Sequence, residues 1–231
     1  MSRKRASRGF TLIEMIIAVT LVAAIITGLL MTMRTGLTAY QKVNARLDDN
    51  RRVMGLDQAL HRQLGGIMPV PMQCPGGPQM AAFLGDLGSL RFVSSSSLAE
   101  GARGYPRVVE YAAAPDPQGG LRLMMNERIY AGPSSLLPLC AGQGLAPVAL
   151  TPQSVELAGR MAYIRFGYRQ PVPDSPMGGE WVPAWQGIPD LPRAVRIEMM
   201  PLAADPAHLP MLTVNVPVHL NRQLLAPYAD Y

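Results

Sequence analysis

Residues 10–33 read Phe10-Thr-Leu-Ile-Glu14-Met-Ile-Ile-Ala-Val-Thr-Leu-Val-Ala-Ala-Ile-Ile-Thr-Gly28-Leu-Leu-Met-Thr-Met33 and carry one charge, Glu14. As a helix, a stretch of this length covers about 36 Å at roughly 1.5 Å per residue. A hydrocarbon core of roughly 30 Å needs about 20 apolar residues. The apolar residues lie all round the helix, whereas a helix at the edge of a soluble core shows one apolar stripe. The stretch therefore predicts a transmembrane helix over 10–33.

The flanks carry further information. Residues 1–9 hold Arg3, Lys4, Arg5 and Arg8 and no acid. An ordinary signal peptide is cut after its apolar run, at small residues. No Ala-x-Ala exit is clear here, and the run passes into a polar helical pattern. The candidate processing point lies before it, at Gly9-Phe10. Past residue 33, Leu37, Tyr40, Val43 and Leu47, then Val53, Leu56, Leu60 and Leu64, recur at helical spacing, one face of an amphipathic helix over 34–64. All 22 prolines lie from Pro69 onward. Gly65-Gly66 with Pro69 and Pro71 predicts the stop.

The basic leader, Gly9-Phe10-Thr11-Leu12-Ile13-Glu14 and the apolar run resemble the processing motif of type IV prepilins and type II secretion pseudopilins. The resemblance implies a membrane-embedded prepilin peptidase/methyltransferase that cuts after Gly9 and N-methylates Phe10. It also implies an assembly role for Glu14, whose carboxylate would meet the amine of the mature N-terminus. Further along, Phe83-Leu84-Gly85 precedes Leu90-Arg91-Phe92-Val93, and Trp181 and Trp185 precede Leu191 to Glu198. That order resembles the minor pseudopilin of J type. The implied partners are the I and K types, the major G type and the inner membrane. The implied function is a place in the tip or initiation complex of a pseudopilus that drives export across the outer membrane. A minor type IV pilin serving adhesion, motility or DNA uptake is the alternative.

Charge agrees with an anchored, extracytoplasmic protein. The formal net charge of +5 includes four leader residues; without the leader it is about +1. Residues 65–231 hold eleven arginines against twelve acids, so no nucleic-acid partner is expected. A basic leader stays cytoplasmic, which predicts a single-pass inner-membrane protein with residues 65–231 in the periplasm. In that compartment Cys74 and Cys140 can pair or remain two free thiols, one of them in a Pro/Gly loop; geometry decides.

The remainder predicts an α+β, pilin-like chain, with the long helix packed on an antiparallel sheet. Residues 67–89 read as loop. Strands are expected at 90–95, 107–112, 121–125, 161–169, 193–199 and 211–218, with Pro217 marking an edge. Loops are expected at 131–154 and 171–192 and a frayed tail at 220–231. The alternation places Leu90 with Phe92, Ala162 with Ile164, Phe166 and Tyr168, and Val195 with Ile197 and Met199 on single faces.

An enzyme needs a constellation of groups, and none is legible. There is no GxSxG, HExxH or GxxxxGK[ST] sequence, no calcium loop and no CxxC. His61, His208 and His219 are scattered. Ser94–Ser97 has no base nearby in sequence, and Asp86, Asp174 and Asp190 read as solvated loop acids. The expectation is no catalytic residue, no metal and no cofactor. The two tryptophans read as an aromatic cover on the sheet.

Overall fold

The computed structural model describes residues 11–98, 104–141, 144–172, 179–203 and 212–218. Gly9, Phe10, Asp174, His208, His219 and the expected tail at 220–231 lie outside them. The chain is α+β: a long N-terminal apolar helix followed by an antiparallel sheet. It divides into two compact units, Met1–Asp49 and Asn50–Tyr231.

The first unit is the body of α1, which runs Leu12–Gly65. The side chains of residues 12–44 are all exposed. Its threonine hydroxyls do not compete with the helix. Thr20, Thr27, Thr35 and Thr38 donate to carbonyls three or four residues back at 2.7–2.9 Å, and Thr32 to Leu29 O at 2.9 Å. Each of these hydroxyls is thereby satisfied inside the helix, as a polar group in hydrocarbon must be. Sequence reading lays the whole stripe from Leu37 to Leu64 on the sheet. The structure corrects this: Leu37, Tyr40, Val43 and Leu47 are exposed, Val53 and Leu56 are partly covered, and of these stripe residues only Leu60 and Leu64 are fully buried. Apolar periodicity marks a face but not how far along it the cover reaches.

The second unit contains the last turns of α1 and twelve strands among the described residues. These are β1 Pro71–Gln73, β2 Gln79–Ala81, β3 Phe83–Gly85, β4 Ser89–Ser94, β5 Arg107–Pro115, β6 Leu121–Ile129, β7 Cys140–Ala141, β8 Gly144–Leu145, β9 Val155–Arg169, β10 Trp181–Val182, β11 Ala194–Pro201 and β12 Leu212–Pro217. The main sheet runs in the order β12-β11-β9-β6-β5-β4-β3, with β10 also on β9, and every pairing is antiparallel. Pro217 closes the edge strand β12, where a missing N–H costs no ladder bond.

The expected faces form. Leu90, Phe92, Ile164, Phe166, Tyr168, Val195, Ile197, Met199, Val214 and Val216 meet Leu60 and Leu64 in the main core. Ala162 shares the face of Ile164 but is exposed. β9 is longer than expected and serves two neighbours. Residues 155–161 pair with β6 and residues 161–169 with β11. The register shifts along β6, and Arg160 takes φ 56°. Asp116 in the β5–β6 turn holds that bend, its Oδ2 accepting from Arg160 N at 2.7 Å. Hydrogen bonds from the Gln118 and Arg160 amides hold the Asp116 carboxyl below its usual range.

Two stretches expected as loop are structured. Within 67–89, β1 and β2 form a hairpin and β3 joins the main sheet. Three-residue strands are too short to show a period. Within 131–154, a 3₁₀ turn spans Pro133–Leu139, and β7 pairs with β8. Both pieces cover the second face of the sheet. Val70, Met72, Cys74 and Met80 meet Leu136 and Leu139 over Leu84, Val93 and Val108. Cys74 and Cys140, with Cα atoms 5.7 Å apart, are joined there by a disulfide.

Candidate functional site

The structure describes three places where function can reside: the apolar span, the junction where α1 enters the sheet, and the closure of the sheet around Trp185.

Leu12–Asn44 is long and apolar enough to cross a membrane, and among the described residues it is the one such helix. Glu14 lies in its first turn with its side chain exposed. Its amide donates to Thr11 O at 3.1 Å, so Thr11 closes the first turn of α1. Gly9 and Phe10 are outside the described residues, and the processing point has no structural description.

At the junction the helix end is tied into the sheet by groups that sequence reading did not assign. Ser94 Oγ donates to Gln63 O at 2.8 Å. Ser95 N and Ser95 Oγ donate to Gly66 O at 2.8 and 3.2 Å, and Met68 N donates to Val93 O at 2.8 Å. The serine run is therefore a cap on the helix exit: it adds a bond to the Gln63 carbonyl of the last turn and holds the Gly66 carbonyl just beyond it. A Cβ on Gly66 would stand 2.9–3.1 Å from the hydroxyls of Ser94, Ser95 and Ser96. Gln63, fully buried, accepts from Tyr111 Oη and donates through Nε2 to Glu127 Oε1 at 3.3 Å. Burial, and then the Glu127 charge, push the Tyr111 phenol far above its usual range. It is a neutral donor at every physiological pH. The only legible signal for this network was a glutamine on the apolar face of the helix.

The adjacent Phe83–Gly85 and Leu90–Phe92 stretches and the distant Trp185 meet at one place. Phe83 pairs with Phe92 across β3 and β4. Gly85 and Trp185 exchange both backbone hydrogen bonds, at 2.8 and 2.9 Å. Trp185 is buried, with Nε1 donating to Asp190 O at 3.0 Å. Tyr168 stands edge-on to Phe83, centroids 5.9 Å apart, and donates to Asp86 O at 2.9 Å. Residues 185–188 thus cover the β3 edge, and the turn after β3 reaches back to β9, where Phe166 N donates to Leu87 O at 3.1 Å. Of the two tryptophans expected as an aromatic cover, Trp185 is buried. Trp181 lies half-exposed on β10, against the guanidinium groups of Arg196 and Arg169. Asp86, expected to be solvated, accepts from the Gly88 and Ser89 amides at 2.8 and 2.6 Å and fixes that turn.

His61 Nδ1 lies 3.0 Å from Asp57 O on the exposed side of α1. Among the described residues no three His, Cys, Asp or Glu side chains converge as a metal would require.

Residues 4–30 match the family model of the prokaryotic N-terminal methylation motif. A chain in the crystal structure of the GspK-GspI-GspJ complex from the type 2 secretion system of enterotoxigenic Escherichia coli is similar at 16% identity and a TM-score of 0.43, over 77% of this chain and 99% of that chain. No curated protein matches the chain.

Proposed function

We propose that this chain is a minor pseudopilin of J type, a non-catalytic subunit of the tip or initiation complex of a type II secretion pseudopilus. The observation that carries the reading is the methylation motif over residues 4–30, running directly into one helix, Leu12–Gly65, whose end is built into an antiparallel sheet. A processed, membrane-held helix fused to a folded β unit is the form a filament subunit needs. The J assignment is supported by the stretches that carry that resemblance: Phe83–Gly85, Leu90–Phe92 and Trp185 form one closure in this fold. In this reading Gly9-Phe10 is the cleavage point, Phe10 the N-methylated residue, and residues 65–231 are periplasmic. The I, K and G types and the prepilin peptidase are partners, and the inner membrane holds the span.

The test is intact-mass analysis of the chain from membranes, followed by co-purification with I- and K-type subunits. The expected result is a mature chain starting at N-methyl-Phe10, recovered in a detergent-stable complex with both. A chain retaining residues 1–9 overturns the processing step. A correctly processed chain that ignores both partners overturns the J assignment.

Glu14→Val supplies a second prediction. A carboxylate in a span costs up to about 2.5–3.5 kcal/mol at the bilayer centre on insertion scales, and less near its edge. The variant should therefore insert and be cleaved normally. Its loss should appear at assembly, as weaker crosslinking to neighbouring subunits and reduced secretion, because the mature N-terminal amine loses its counter-charge. Wild-type crosslinking and secretion would show the carboxylate dispensable.

A further inference from the structure

The second face of the sheet is treated differently at its two ends. Over β3–β5 it is covered by the hairpin, the 3₁₀ turn and the disulfide. Over β9, β11 and β12 the side chains on that face include exposed Arg165, Thr213 and Asn215 and half-exposed Tyr163, Arg169, Arg196 and Glu198. The large side chain lying on it is Trp181.

These groups are ordered. The Arg196 guanidinium lies 4.3 Å from the Trp181 ring centroid and that of Arg169 5.8 Å from it; Arg165 lies 5.1 Å from the ring centroid of Tyr163. A guanidinium held over an aromatic face can still present N–H groups to a planar anion; here the Nε of Arg169 donates to Gly179 O at 3.4 Å and that of Arg196 faces Glu198, which leaves their terminal N–H groups and Arg165 for a ligand. Among the described residues of β9 and β11, three cations share the face with one acid, Glu198, which is already held by Arg196 Nε at 3.1 Å. The register adds a pitch. Arg196 stands opposite Gly167, midway between Arg165 and Arg169. The three arginines therefore follow one another at about 6.6 Å along the strand direction, two residues of an extended chain. Gly167 leaves a hollow of about 210 Å³ between Arg165, Trp181, Arg196 and Glu198. It admits a side chain and is smaller than the roughly 300–1,000 Å³ of small-molecule pockets.

The geometry points to a docking surface for an extended acidic protein segment, one with carboxylates at alternate positions lying along β9 and β11. Charge and spacing both select this occupant: side chains of a strand repeat on one side every second residue, matching the arginine pitch. A nucleic acid fits less well. Its continuous phosphates would run against Glu198, and residues 65–231 carry no excess of positive charge. The inference goes beyond the assembly reading and does not rest on it.

The test uses the full chain in detergent micelles and the change in tryptophan fluorescence on binding, read against a Trp185→Phe chain so that the emission is that of Trp181. The probes are a ten-residue peptide alternating glutamate and threonine, its lysine-threonine counterpart, and a ten-nucleotide deoxythymidine strand. The acidic peptide is expected to bind, and the others to bind at least tenfold more weakly. Arg165→Gln, at an exposed position that leaves the fold intact, should weaken binding about fivefold, the upper range for one exposed charge pair. Arg165→Gln with Arg169→Gln should weaken it more than tenfold, with unchanged thermal unfolding. Arg122→Gln, on β6 and paired with Glu156 outside this hollow, should change nothing. No response to the acidic peptide, equal affinity in the arginine variants, or equal or tighter binding of either other probe overturns the proposal.

Discussion

A chain carrying Cys74→Ser and Cys140→Ser is expected to lose about 4 kcal/mol of stability in its β unit. The two cysteines are 66 residues apart in sequence, and the chain-entropy model assigns roughly that much to closing such a loop. The loss falls on a particular piece of structure. The β1–β2 hairpin and the 3₁₀ turn form a small cluster of their own, including Val70, Met72, Met80, Leu136 and Leu139. A two-stranded hairpin of this size does not hold by itself. Without the bond, protease sites at 71–81 and 131–141 should open well before the sheet melts. Thermal unfolding of the double variant, or of the wild type with a reductant, and limited proteolysis followed by mass mapping are the measurements. A shift in midpoint of less than one degree, with no early cleavage, would show the cluster to be self-supporting.

Gly85→Ala should cost on the order of 3 kcal/mol. The added Cβ would lie 2.1 Å from Tyr168 Oη and 2.2 Å from Cζ, so one of the two residues must move. Neither moves cheaply. Gly85 exchanges two backbone hydrogen bonds with Trp185, and Tyr168 is fully buried with its hydroxyl donating to Asp86 O and Ser89 O. Overpacking a tight core costs about 1–3 kcal/mol, and a stranded buried hydroxyl or carbonyl adds about 1–3 more. In a double-mutant cycle with Tyr168→Leu, the alanine should cost much less, because the clashing ring is gone. Additive effects in that cycle would mean that Gly85 acts through turn conformation and not through contact.

Much of the fold was legible because its signals are long. An unbroken apolar run, a proline-free helix and alternating strands such as Arg193–Met199 each repeat a period several times. What stayed hidden was short or non-local. β1, β2 and β3 are three residues each. The extension of β9 back to Val155 carries the irregular Gly159-Arg160 pair, which breaks alternation where the strand changes partner. Ser94–Ser97 reads as polar filler until Gln63 and Gly66 are placed beside it. Of the candidate site, Glu14 and the cysteines were visible as residue types, whereas the arginine ladder depends on register between β9 and β11 and has no trace along the chain. Trp181 and Trp185 look alike in sequence. Only the fold separates one as core and the other as surface.

The serine cap has a mechanical consequence. Many anchored domains hang from their membrane helix by a flexible connector, which absorbs a pull by straightening. Here the chain leaves α1 at Gly65 and within three residues is bonded to the end of β4, through the Gln63, Gly66 and Met68 contacts and the Ile67–Ser94 bridge. Tension on the last turns of α1 therefore loads several bonds at once and passes into the hydrogen-bonded sheet at β4, the strand next to its β3 edge.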